Sequence, residues 1–299
     1  MVELSVITIN YNSVNHTLEM LASLSRSFKG CSYECIVLDN GSVVDESVII
    51  KSNYPEYEII RSDKNLGFAA GNNLCLERAT GSYLFFVNND TLLLDSSVKD
   101  IISHMEREKK IGAVSPKIVF YKPENTLQFA GFTPLSRITL RNRAIGFLEI
   151  DRGQYRDPQP THFLHGAAMI VRRDVITAVG GMPEDYFLYY EEMDWSESIK
   201  RAGYELWYLP FMKIIHKESS TVGAHSPLKK YYITRNRLLF AKRNRTKAEF
   251  LMFALYFTLF SVTKDITVEL FKGRISNSAS IVEGCIDFFK QKFGEKSHI

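Results

Sequence analysis

Residues 81–91 read Gly-Ser-Tyr-Leu-Phe-Phe-Val-Asn-Asn-Asp-Thr, in which an apolar run, Tyr83 to Val87, passes directly into two amides and a carboxylate. A short, uninterrupted apolar run is typical of a strand that is buried on both faces. The carboxylate of Asp90, just beyond this strand, therefore loses hydration. This loss costs free energy unless a positive group compensates the charge. A divalent cation, Mg²⁺ or Mn²⁺, would compensate it. The alternative is an Asp that caps the next turn with Thr91.

Three further strands precede this one and alternate with helical segments, at Leu4–Asn10, Tyr33–Leu38 and Tyr57–Arg61. Such alternation predicts an open, mostly parallel α/β sheet, in which ligands bind beyond the carboxyl ends of the strands. Each of the four strands is followed by polar residues: Asn10-Tyr11-Asn12, Asp39-Asn40, Asp63 with Asn65, and Asn88-Asn89-Asp90. This clustering predicts a ligand site at one edge of the sheet.

The rest of the chain continues this pattern and then becomes helical. Further strands are predicted at residues 111–120, 163–171, 205–209 and 213–216, and helices at 96–110, 191–202, 228–243, 247–271 and 276–293. A chain of 299 residues, 45% of them hydrophobic, can bury a substantial core. We expect an α/β domain over residues 1–227 and a helical region over residues 228–299.

The helical C-terminal region is basic and partly apolar. Residues 228–299 contain 14 Lys and Arg against 6 Asp and Glu, a net charge of +8, whereas the whole chain carries +3. The uncharged stretch from Phe250 to Thr263 is too short to span a bilayer, which needs about 20 apolar residues. It suits a helix lying on an anionic membrane surface. A helix pair packed on the catalytic domain or a homodimer interface would look similar, and the pattern does not favour nucleic acid.

The remaining features concern the compartment and the nucleotide. The cysteines form neither a CxxC pair nor a disulfide framework, and Met1 to Asn10 shows no secretion signal, so we expect a cytoplasmic protein. No dinucleotide-binding or P-loop motif occurs. Asp39 could accept a hydrogen bond from a nucleobase or cap the following helix. The glycine-rich segment 65–73 could contact a nucleotide or form a tight strand-to-helix turn.

In this order along the chain, the motifs resemble glycosyltransferases of family two with the GT-A fold, of the bacterial rhamnosyltransferase-like kind. The resemblance covers residues 4–245 and, more weakly, 284–289. It implies a Rossmann-like, mostly parallel central sheet flanked by helices, with a C-terminal helical extension. It rests on Thr8-Ile9-Asn10-Tyr11-Asn12, Asp39-Asn40-Gly41-Ser42, Asn65 to Asn73, Asn88-Asn89-Asp90-Thr91, Gly166-Ala167, Gly180-Gly181, Tyr190-Glu191-Glu192-Met193-Asp194, and His216 before Ser219-Ser220.

The resemblance also implies roles for single residues. Asp39 would bind the nucleobase, Asp90 would ligate the metal that bridges the donor diphosphate, and His216 would be a further metal or diphosphate ligand. Without its place in the pattern, His216 would be an ordinary polar residue at a strand end. Asn88 occupies the position at which the family's Asp-x-Asp motif has its first acid. The implied nucleotide-sugar-binding residues are Thr8, Asn10, Tyr11, Asn12, Asp39, Asn65, Gly67, Asn73, Asn88, Asn89, Gly166 and Ala167.

The acidic block of residues 190–194 is where the resemblance implies a general base. An inverting transfer is a single displacement that needs a carboxylate to take the proton of the acceptor hydroxyl. In the family pattern Glu-Asp-x-Asp the second acid is the base, and Glu192, one methylene longer than Asp, holds that position. Glu191 and Asp194 are the other catalytic candidates, but they share a helix face from which Glu192 points away. Alternatively, the acids favour the helix N-terminus electrostatically.

The leading hypothesis is an inverting, metal-dependent glycosyltransferase that transfers a sugar from a dTDP- or UDP-linked donor, with rhamnose as one candidate. Its acceptor would be a glycan or a lipid-linked oligosaccharide, used in cell-surface polysaccharide synthesis at the inner face of the cytoplasmic membrane. One alternative is a sugar nucleotidyltransferase, which would normally show a basic, glycine-rich signature near its N-terminus. Another is a non-catalytic sugar-nucleotide-binding protein docked on membranes.

Overall fold

The computed structural model describes residues 2–28, 31–96, 98–218 and 226–296, without the side chains of Asp95 and Ser96. Ser219 and Ser220 of the last motif lie outside the described residues. Within these ranges, ten strands form one sheet. The strands are β1 (Leu4–Asn10), β2 (Tyr33–Asn40), β3 (Glu58–Ser62), β4 (Tyr83–Val87), β5 (Thr91–Ser96), β6 (Ile111–Phe120), β7 (Leu127–Phe129), β8 (Gln159–Pro160), β9 (Ala168–Arg172) and β10 (Glu205–His216).

The helices lie on both faces of this sheet and beyond its last strand. The α-helices are α1 (Val14–Ser27), α2 (Ser47–Asn53), α3 (Gly67–Leu76), α4 (Val98–Arg107), α5 (Arg173–Val179), α6 (Glu191–Arg201), α7 (Pro227–Asn244), α8 (Lys247–Tyr256), α9 (Thr263–Phe271) and α10 (Ile275–Phe289). A 3₁₀ turn (Glu184–Tyr186) precedes α6, and a π-helical segment (Phe257–Val262) joins α8 to α9.

The sheet has the order β3-β2-β1-β4-β9-β6-β10-β5, with β7 paired to β6 and β8 to β10. The first four strands in this order run parallel, which confirms the open parallel sheet that the alternating pattern predicts. Beyond β4 the sheet is mixed, since β9 is antiparallel to β4 and β6, while β10 is parallel to β6. The carboxyl ends of β1 and β4 therefore meet at one edge.

Residues of the central strands alternate between two helix layers. Val6 and Phe85 belong to the core that contains the apolar residues of α1, whereas Ile7 and Phe86 belong to the core that contains residues of α3 and α6. Phe86 meets Trp195 of α6 edge to face at 5.5 Å. Burial on both faces explains why these strands read as continuous apolar runs in the sequence.

The predicted strand over Phe163–Val171 is wrong in its first half, because β9 begins only at Ala168. The preceding backbone bonds to side chains instead of a neighbouring strand: Leu164 N donates to Ser196 Oγ at 3.2 Å and His165 N donates to Ser115 Oγ at 2.9 Å. The residues before β9 therefore form a turn at the sheet edge.

Two other strands differ from the pattern. β5 was not predicted, and it pairs antiparallel with the last part of β10. Two strands were predicted over residues 205–216, but β10 is a single strand whose register against β6 shifts between Leu209 and Lys213. Pro210 lies within this irregular part of β10, and a proline inside a strand is common at such a bulge because it has no backbone N–H to donate.

The C-terminal helices pack against the α/β part through a third apolar core. This core contains Phe163 and Tyr186 from the α/β part and Leu238, Phe253 and Phe288 from α7, α8 and α10. In α9, Glu269 accepts from Lys230 of α7 at 2.9 Å and from Asn277 of α10 at 2.8 Å. The region 228–299 is thus joined to residues 1–227 by a buried contact.

The helix that runs from Lys247 to Phe271 is long and apolar enough to cross a membrane, judged by length and composition alone, and no other helix among the described residues is. It contains 25 residues, and its most apolar 18-residue window has a mean hydropathy of 1.4 and is 22% buried. The uncharged stretch Phe250–Thr263, expected to be too short to span a bilayer, is only a part of this helix, and that expectation stays a prediction. The helix continues beyond Thr263 through three charged residues, Lys264, Asp265 and Glu269.

Candidate active site

A cavity of about 440 Å³ opens where β1 and β4 end. Ile9 and Val87 give it apolar surface, while amides and one carboxylate supply most of its polar surface. Because the carboxyl ends of parallel strands meet at the same edge, residues far apart in sequence come together here. Of the predicted site residues, the structure brings six to the cavity: Tyr11, Asn65, Gly67, Asn88, Asn89 and Asp90.

Four other predicted residues, Thr8, Asn10, Asn12 and Asp39, are not among the cavity-lining residues. Asp39 is fully buried, and its Oδ2 accepts from Arg61 Nη1 at 2.7 Å while Oδ1 accepts from Asn10 Nδ2 at 3.3 Å. These bonds fix the loop that follows β2, whose Asn40 does line the cavity. Contact between Asp39 and a nucleobase stays a prediction, since both carboxylate oxygens already have partners.

The glycine-rich loop before α3 forms one wall of the cavity. Asn65 Oδ1 accepts from Gly67 N at 2.8 Å and from Asn40 Nδ2 at 3.1 Å, so the loop is bonded to the end of β2. Asn73, predicted to bind the donor, instead bonds to Met182 on the opposite side of α3. Its neighbour Asn72 lines the cavity in its place.

Gly67→Ala is expected to lower both thermal stability and donor affinity. Gly67 has φ +81°, and an added Cβ would lie 2.4 Å from the carbonyl oxygen of Phe187, which also lines the cavity. Backbone strain and a clash together cost more than about 1 kcal/mol of folding free energy. Thermal unfolding and calorimetric titration with dTDP and UDP measure the two effects.

Gly203→Ala is the matched control for that substitution, because Gly203 has φ +92° but nothing within 4 Å of an added Cβ. It should show the strain without the loss of nucleotide affinity. Equal nucleotide affinity for Gly67→Ala and the wild type would show that this wall does not contact the ligand.

The segment Asn88-Asn89-Asp90 forms the floor of the cavity at the end of β4. Asn89 Nδ2 donates to Ser13 Oγ at 2.8 Å and to Thr17 Oγ1 at 2.9 Å, which ties this segment to the start of α1. Asp90 is only 7% exposed, and its Oδ1 lies 3.3 Å from Nε2 of His216 at the end of β10. Residues 126 positions apart in sequence thus share one small site.

The Asp90–His216 pair has the chemistry of a divalent cation site. A carboxylate and an imidazole only 3.3 Å apart are residue types that would together hold such a cation. His216 Nδ1 is 2.8 Å from Gln128 Oε1. With that oxygen as acceptor, Nδ1 carries the proton and Nε2 presents its lone pair toward Asp90.

The number of protein ligands is small. In the part of the chain that the structure describes, no group of three or more His, Cys, Asp or Glu could hold a metal ion. A cation bound by Asp90 and His216 would therefore take its other ligands from phosphate oxygens and water, as Mg²⁺ commonly does. Asp90 and His216 therefore fit a divalent cation. Asn88 could add only a neutral oxygen, and its part in the site stays a prediction.

The Gly166-Ala167 turn links this floor to the acidic block. Ala167 O accepts from Asn88 N at 2.9 Å, and Ala167 N donates to His165 Nδ1 at 3.1 Å. Burial lowers the pKa of His165 to about 3, so its imidazole is neutral and can accept this bond. On the other side, a Cβ on Gly166 would lie 3.8 Å from Glu192 Cγ. Glu192 therefore lies beside the strand end that carries Asn88.

The two glutamates that open α6 occupy different environments. Glu191 is only 4% exposed and its Oε2 has no hydrogen-bond partner among the described residues, whereas Glu192 is partly exposed. Burial raises the pKa of Glu191 well above its ordinary value, and the neighbouring charge of Glu192 adds to this. Burial raises the pKa of Glu192 too. A carboxyl with a raised pKa is a stronger base once it is deprotonated.

Asp194 does not lie with these two residues. Its carboxylate accepts hydrogen bonds from Tyr186 OH at 3.1 Å, Arg243 Nη1 at 3.1 Å and Asn244 Nδ2 at 2.6 Å. These bonds join α6 to α7 and to the 3₁₀ turn that precedes α6. Asp194 thus belongs to the contact between helices, whereas Glu192 lies next to Gly166 and is not among the cavity-lining residues.

The sequence of this chain matches the model of a known protein family. The family model described as glycosyl transferase family 2 matches residues 5–180, more than half of the chain. The chain belongs to glycosyltransferase family 2. Its membership confirms the predicted family and favours a transferase over a nucleotidyltransferase.

Relatives of this glycosyltransferase are found in several organisms. The N-acetylglucosaminyl-diphospho-decaprenol L-rhamnosyltransferase of Mycobacterium tuberculosis is 23% identical over 74% of this chain and 78% of its own length. The dTDP-rhamnosyl transferase RfbF of Shigella flexneri is 22% identical over 90% of this chain and 93% of its own. The chain is therefore similar to rhamnosyltransferases over most of its length.

The fold has solved counterparts. The mannosyltransferase PcManGT of Pyrobaculum calidifontis, solved in complex with GDP-Man and Mn²⁺, superposes with a TM-score of 0.58 at 13% identity, over 97% of this chain and 88% of that one. The likeness confirms the predicted GT-A fold with its C-terminal helical region.

Several residues of this glycosyltransferase site were missed by the sequence analysis. Phe187 and Leu188 line the cavity from the turn before α6, and Leu228 lines it from the start of α7. The aromatic run before the acidic block was a signal for the first two, but nothing in the sequence indicates that Leu228 reaches the cavity. Gln128 and Arg61 were missed because each acts through a partner, His216 and Asp39, that is remote in sequence.

Proposed function

We propose that this chain catalyses an inverting transfer of a sugar from a nucleoside diphosphate to an acceptor hydroxyl in cell-surface glycan synthesis. The observation that carries the proposal is the cavity at the ends of β1 and β4, which has Asp90 at its floor with His216 Nε2 3.3 Å behind it. The named relatives act on rhamnose, so we propose a dTDP- or UDP-linked sugar as donor, with rhamnose first, and a lipid-linked glycan precursor as acceptor.

Glu192 is the proposed general base. It takes the proton of the acceptor hydroxyl as the acceptor oxygen bonds to the anomeric carbon, while the bond from that carbon to the diphosphate oxygen breaks with its electron pair. A single displacement from the opposite side inverts the anomeric centre. Glu192 lies next to Gly166, where the lack of a side chain leaves room between the base and the end of β4.

Asp90 and His216 are the residues proposed to hold a divalent cation, Mg²⁺ or Mn²⁺. When bound there, such a cation would neutralise charge that develops on the leaving diphosphate. Gln128 orients the His216 imidazole so that Nε2 faces Asp90. Metal in the complex of the mannosyltransferase supports the assignment for the fold as a whole. Asn88 supplies no charge, so Asp90 would be the principal anionic ligand.

The remaining cavity residues are proposed to bind the nucleotide. Tyr11 offers an aromatic face for a base, and Asn40, Asn65 and Asn72 offer amide donors and acceptors. Asp39 organises this wall through its bond to Arg61. A base that displaced Arg61 could bond to Asp39 directly, as the family resemblance implies. The apolar side of Phe187 would cover the sugar-nucleotide from the α6 side.

A donor panel tests the proposed function. Purified protein is mixed with UDP-, dTDP-, GDP- and CDP-linked sugars, with Mn²⁺ or with EDTA, and thermal unfolding and release of nucleoside diphosphate are measured. We expect one nucleotide class to raise the melting temperature and to be cleaved slowly. Release of pyrophosphate would indicate a nucleotidyltransferase, and a stabilising donor that is never turned over with any acceptor would indicate a binding protein.

The C-terminal helices are proposed to hold the enzyme on an anionic membrane surface, where a lipid-linked acceptor resides. Exposed apolar side chains follow one another along α8, the π segment, α9 and α10, and the region carries a net charge of +8. An apolar face bordered by basic residues suits the interface of a bilayer with anionic lipids. The most exposed members are Leu251, Leu255, Leu259, Phe260, Phe271, Ile275 and Phe289.

Flotation with lipid vesicles tests this docking. We expect the protein to float with vesicles that contain phosphatidylglycerol and less with pure phosphatidylcholine, and added salt to weaken the effect. The double variant Leu255→Ser/Leu259→Ser should stay in solution. Val43→Ser/Val44→Ser, which removes exposed apolar groups elsewhere, should float normally. No flotation, with a dimer in light scattering that the Leu255→Ser/Leu259→Ser change dissociates, would assign this face to a homodimer instead.

A further inference from the structure

The turn before α6 is held in an unusual backbone conformation. Phe187, Tyr189 and Tyr190 have φ of 64°, 69° and 79°, a left-handed region that L-residues other than Asn and Asp seldom occupy. Each such residue costs about 1–3 kcal/mol and persists only where surrounding contacts enforce it. Three bulky aromatic residues within four positions therefore require a strong external restraint.

Two fully buried polar residues of α7 supply that restraint. Asn236 Nδ2 lies 2.9 Å from Tyr186 O, 2.8 Å from Leu188 O and 2.9 Å from Tyr189 O, so its two N–H donors are shared among three carbonyls of the turn. Arg235 donates from Nη2 to Tyr186 O at 2.9 Å and from Nε to Asn236 Oδ1 at 2.9 Å. The second bond orients the amide so that its NH₂ group faces the turn.

The burial of Arg235 is unusual in its own right. The side chain is 0% exposed, yet its described hydrogen-bond partners are carbonyl, amide and hydroxyl oxygens rather than a carboxylate. Its guanidinium lies over the rings of Tyr231 and Tyr232, at 5.3 and 4.9 Å from their centroids. A buried cation is tolerated only where many groups satisfy it. Here those groups include the carbonyls of Asp185 and Tyr186, where the turn begins, and the aromatic residues of α7.

This turn connects the two halves of the candidate site. Its residue Phe187 lines the cavity, accepts from Phe68 N at 2.8 Å and stacks on Tyr232 of α7 at 5.3 Å. Three residues later, Tyr190 is the residue at the N-cap of α6, directly before Glu191 and Glu192. A shift of the turn would therefore move the donor wall and the acidic block together.

We infer that Arg235 and Asn236 are positioning residues, which hold the 186–190 turn so that the donor cavity and Glu192 keep their reactive arrangement. The inference rests on the proposed function, because it assigns Glu192 to the reaction. The helix α7 would thereby help to set the geometry of the site, in addition to the membrane contact proposed for the C-terminal helices. A misplacement of about 1 Å in a reacting group can lower a rate about 100-fold.

The test compares Asn236→Ala and Arg235→Lys with Asn277→Ala. Asn277 is similarly buried at 2% exposure, but its amide bonds to Glu269 between α9 and α10. We expect the first two to lower kcat about 100-fold and to weaken nucleotide affinity at a temperature where all are folded. Asn277→Ala should lose comparable stability with kcat within about twofold of the wild type, because a local helix contact does not reach the site.

A purely structural role would lower stability alone, so wild-type kcat and nucleotide affinity in folded Asn236→Ala would overturn the inference. Hydrogen exchange gives a readout that does not depend on turnover. The Phe68 amide and the amides of residues 187–190 should exchange faster in Asn236→Ala and Arg235→Lys but not in Asn277→Ala. If the wild type proves inactive with every donor, the proposed function fails, whereas unchanged exchange in these variants contradicts the positioning role itself.

Discussion

Asp90→Asn is expected to lower kcat by about three orders of magnitude, because loss of the charged group removes several kcal/mol of stabilisation from the leaving diphosphate. The substitution keeps the shape of a buried side chain that is 7% exposed, so the fold should survive. The measurement is the rate of nucleoside diphosphate release at saturating donor and Mn²⁺, with the melting temperature recorded for each protein. A rate within tenfold of the wild type would contradict the role of Asp90.

Asn88→Asp is the informative companion to that variant. Asn88 also lines the cavity, two residues before Asp90, and the substitution supplies a second negative charge. We expect it to tighten Mn²⁺ binding, because the affinity of a hard cation rises with the number of charged ligands. Calorimetric titration of Mn²⁺ in the presence of dTDP measures the change, and Asn53→Asp, which adds the same charge at an exposed position of α2, is the control for a change of charge alone.

Glu192→Gln is expected to lower kcat by about 10²–10⁴-fold, the usual contribution of a general base, while nucleotide affinity stays unchanged. In the wild type, burial raises the pKa of Glu192, and the reaction needs the carboxylate form. Activity should therefore fall as the pH drops through this raised pKa, at a higher pH than an ordinary glutamate would give. The pH–rate profile of Glu192→Gln should lack that limb.

Glu191→Gln is the matched variant, one residue away in the same helical turn. It should reduce kcat clearly less than Glu192→Gln does. The folded state raises the pKa of Glu191, so its stabilising contribution is present below the unfolded pKa and is lost as the pH rises through the folded value. Glu191→Gln should therefore exceed the wild type in stability at high pH. Equal losses of kcat in the two variants would contradict the assignment of Glu192 alone.

Short-range patterns were enough to predict the parallel half of the sheet. β1, β2 and β4 are buried on both faces by α1 and α3, and burial of both faces makes a strand visible as an apolar run. The same reasoning wrongly predicted a strand over Phe163 to Ala167, which form a turn. The backbone of this turn bonds to Ser115 and Ser196, and no local pattern reveals such partners. β5 escaped notice because its pairing with β10 depends on contacts remote in sequence.

Residues of the candidate site could be predicted where they directly follow a strand and line the cavity. Residues that lie behind the cavity wall and act through hydrogen bonds to other residues could not. Asn88 to Asp90 line the cavity because the chain leaves β4 at that point. The environment of Asp39 could not be foreseen, since Arg61 comes from a separate strand. The same holds for Asn236, which bonds to the 186–190 turn from α7, 46 residues after Tyr190. Partners of this kind are set by tertiary packing and carry no local signal.

The most direct test of the central claim is the dependence of diphosphate binding on a divalent cation at Asp90. dTDP and UDP are titrated calorimetrically into the wild type and into Asp90→Ala, each with Mn²⁺ and with EDTA. We predict that Mn²⁺ tightens binding of one nucleotide to the wild type by more than about tenfold, a coupling above about 1.4 kcal/mol, and that Asp90→Ala removes this difference. Equal affinity with Mn²⁺ and EDTA in the wild type, or the same Mn²⁺ response in Asp90→Ala, would contradict it.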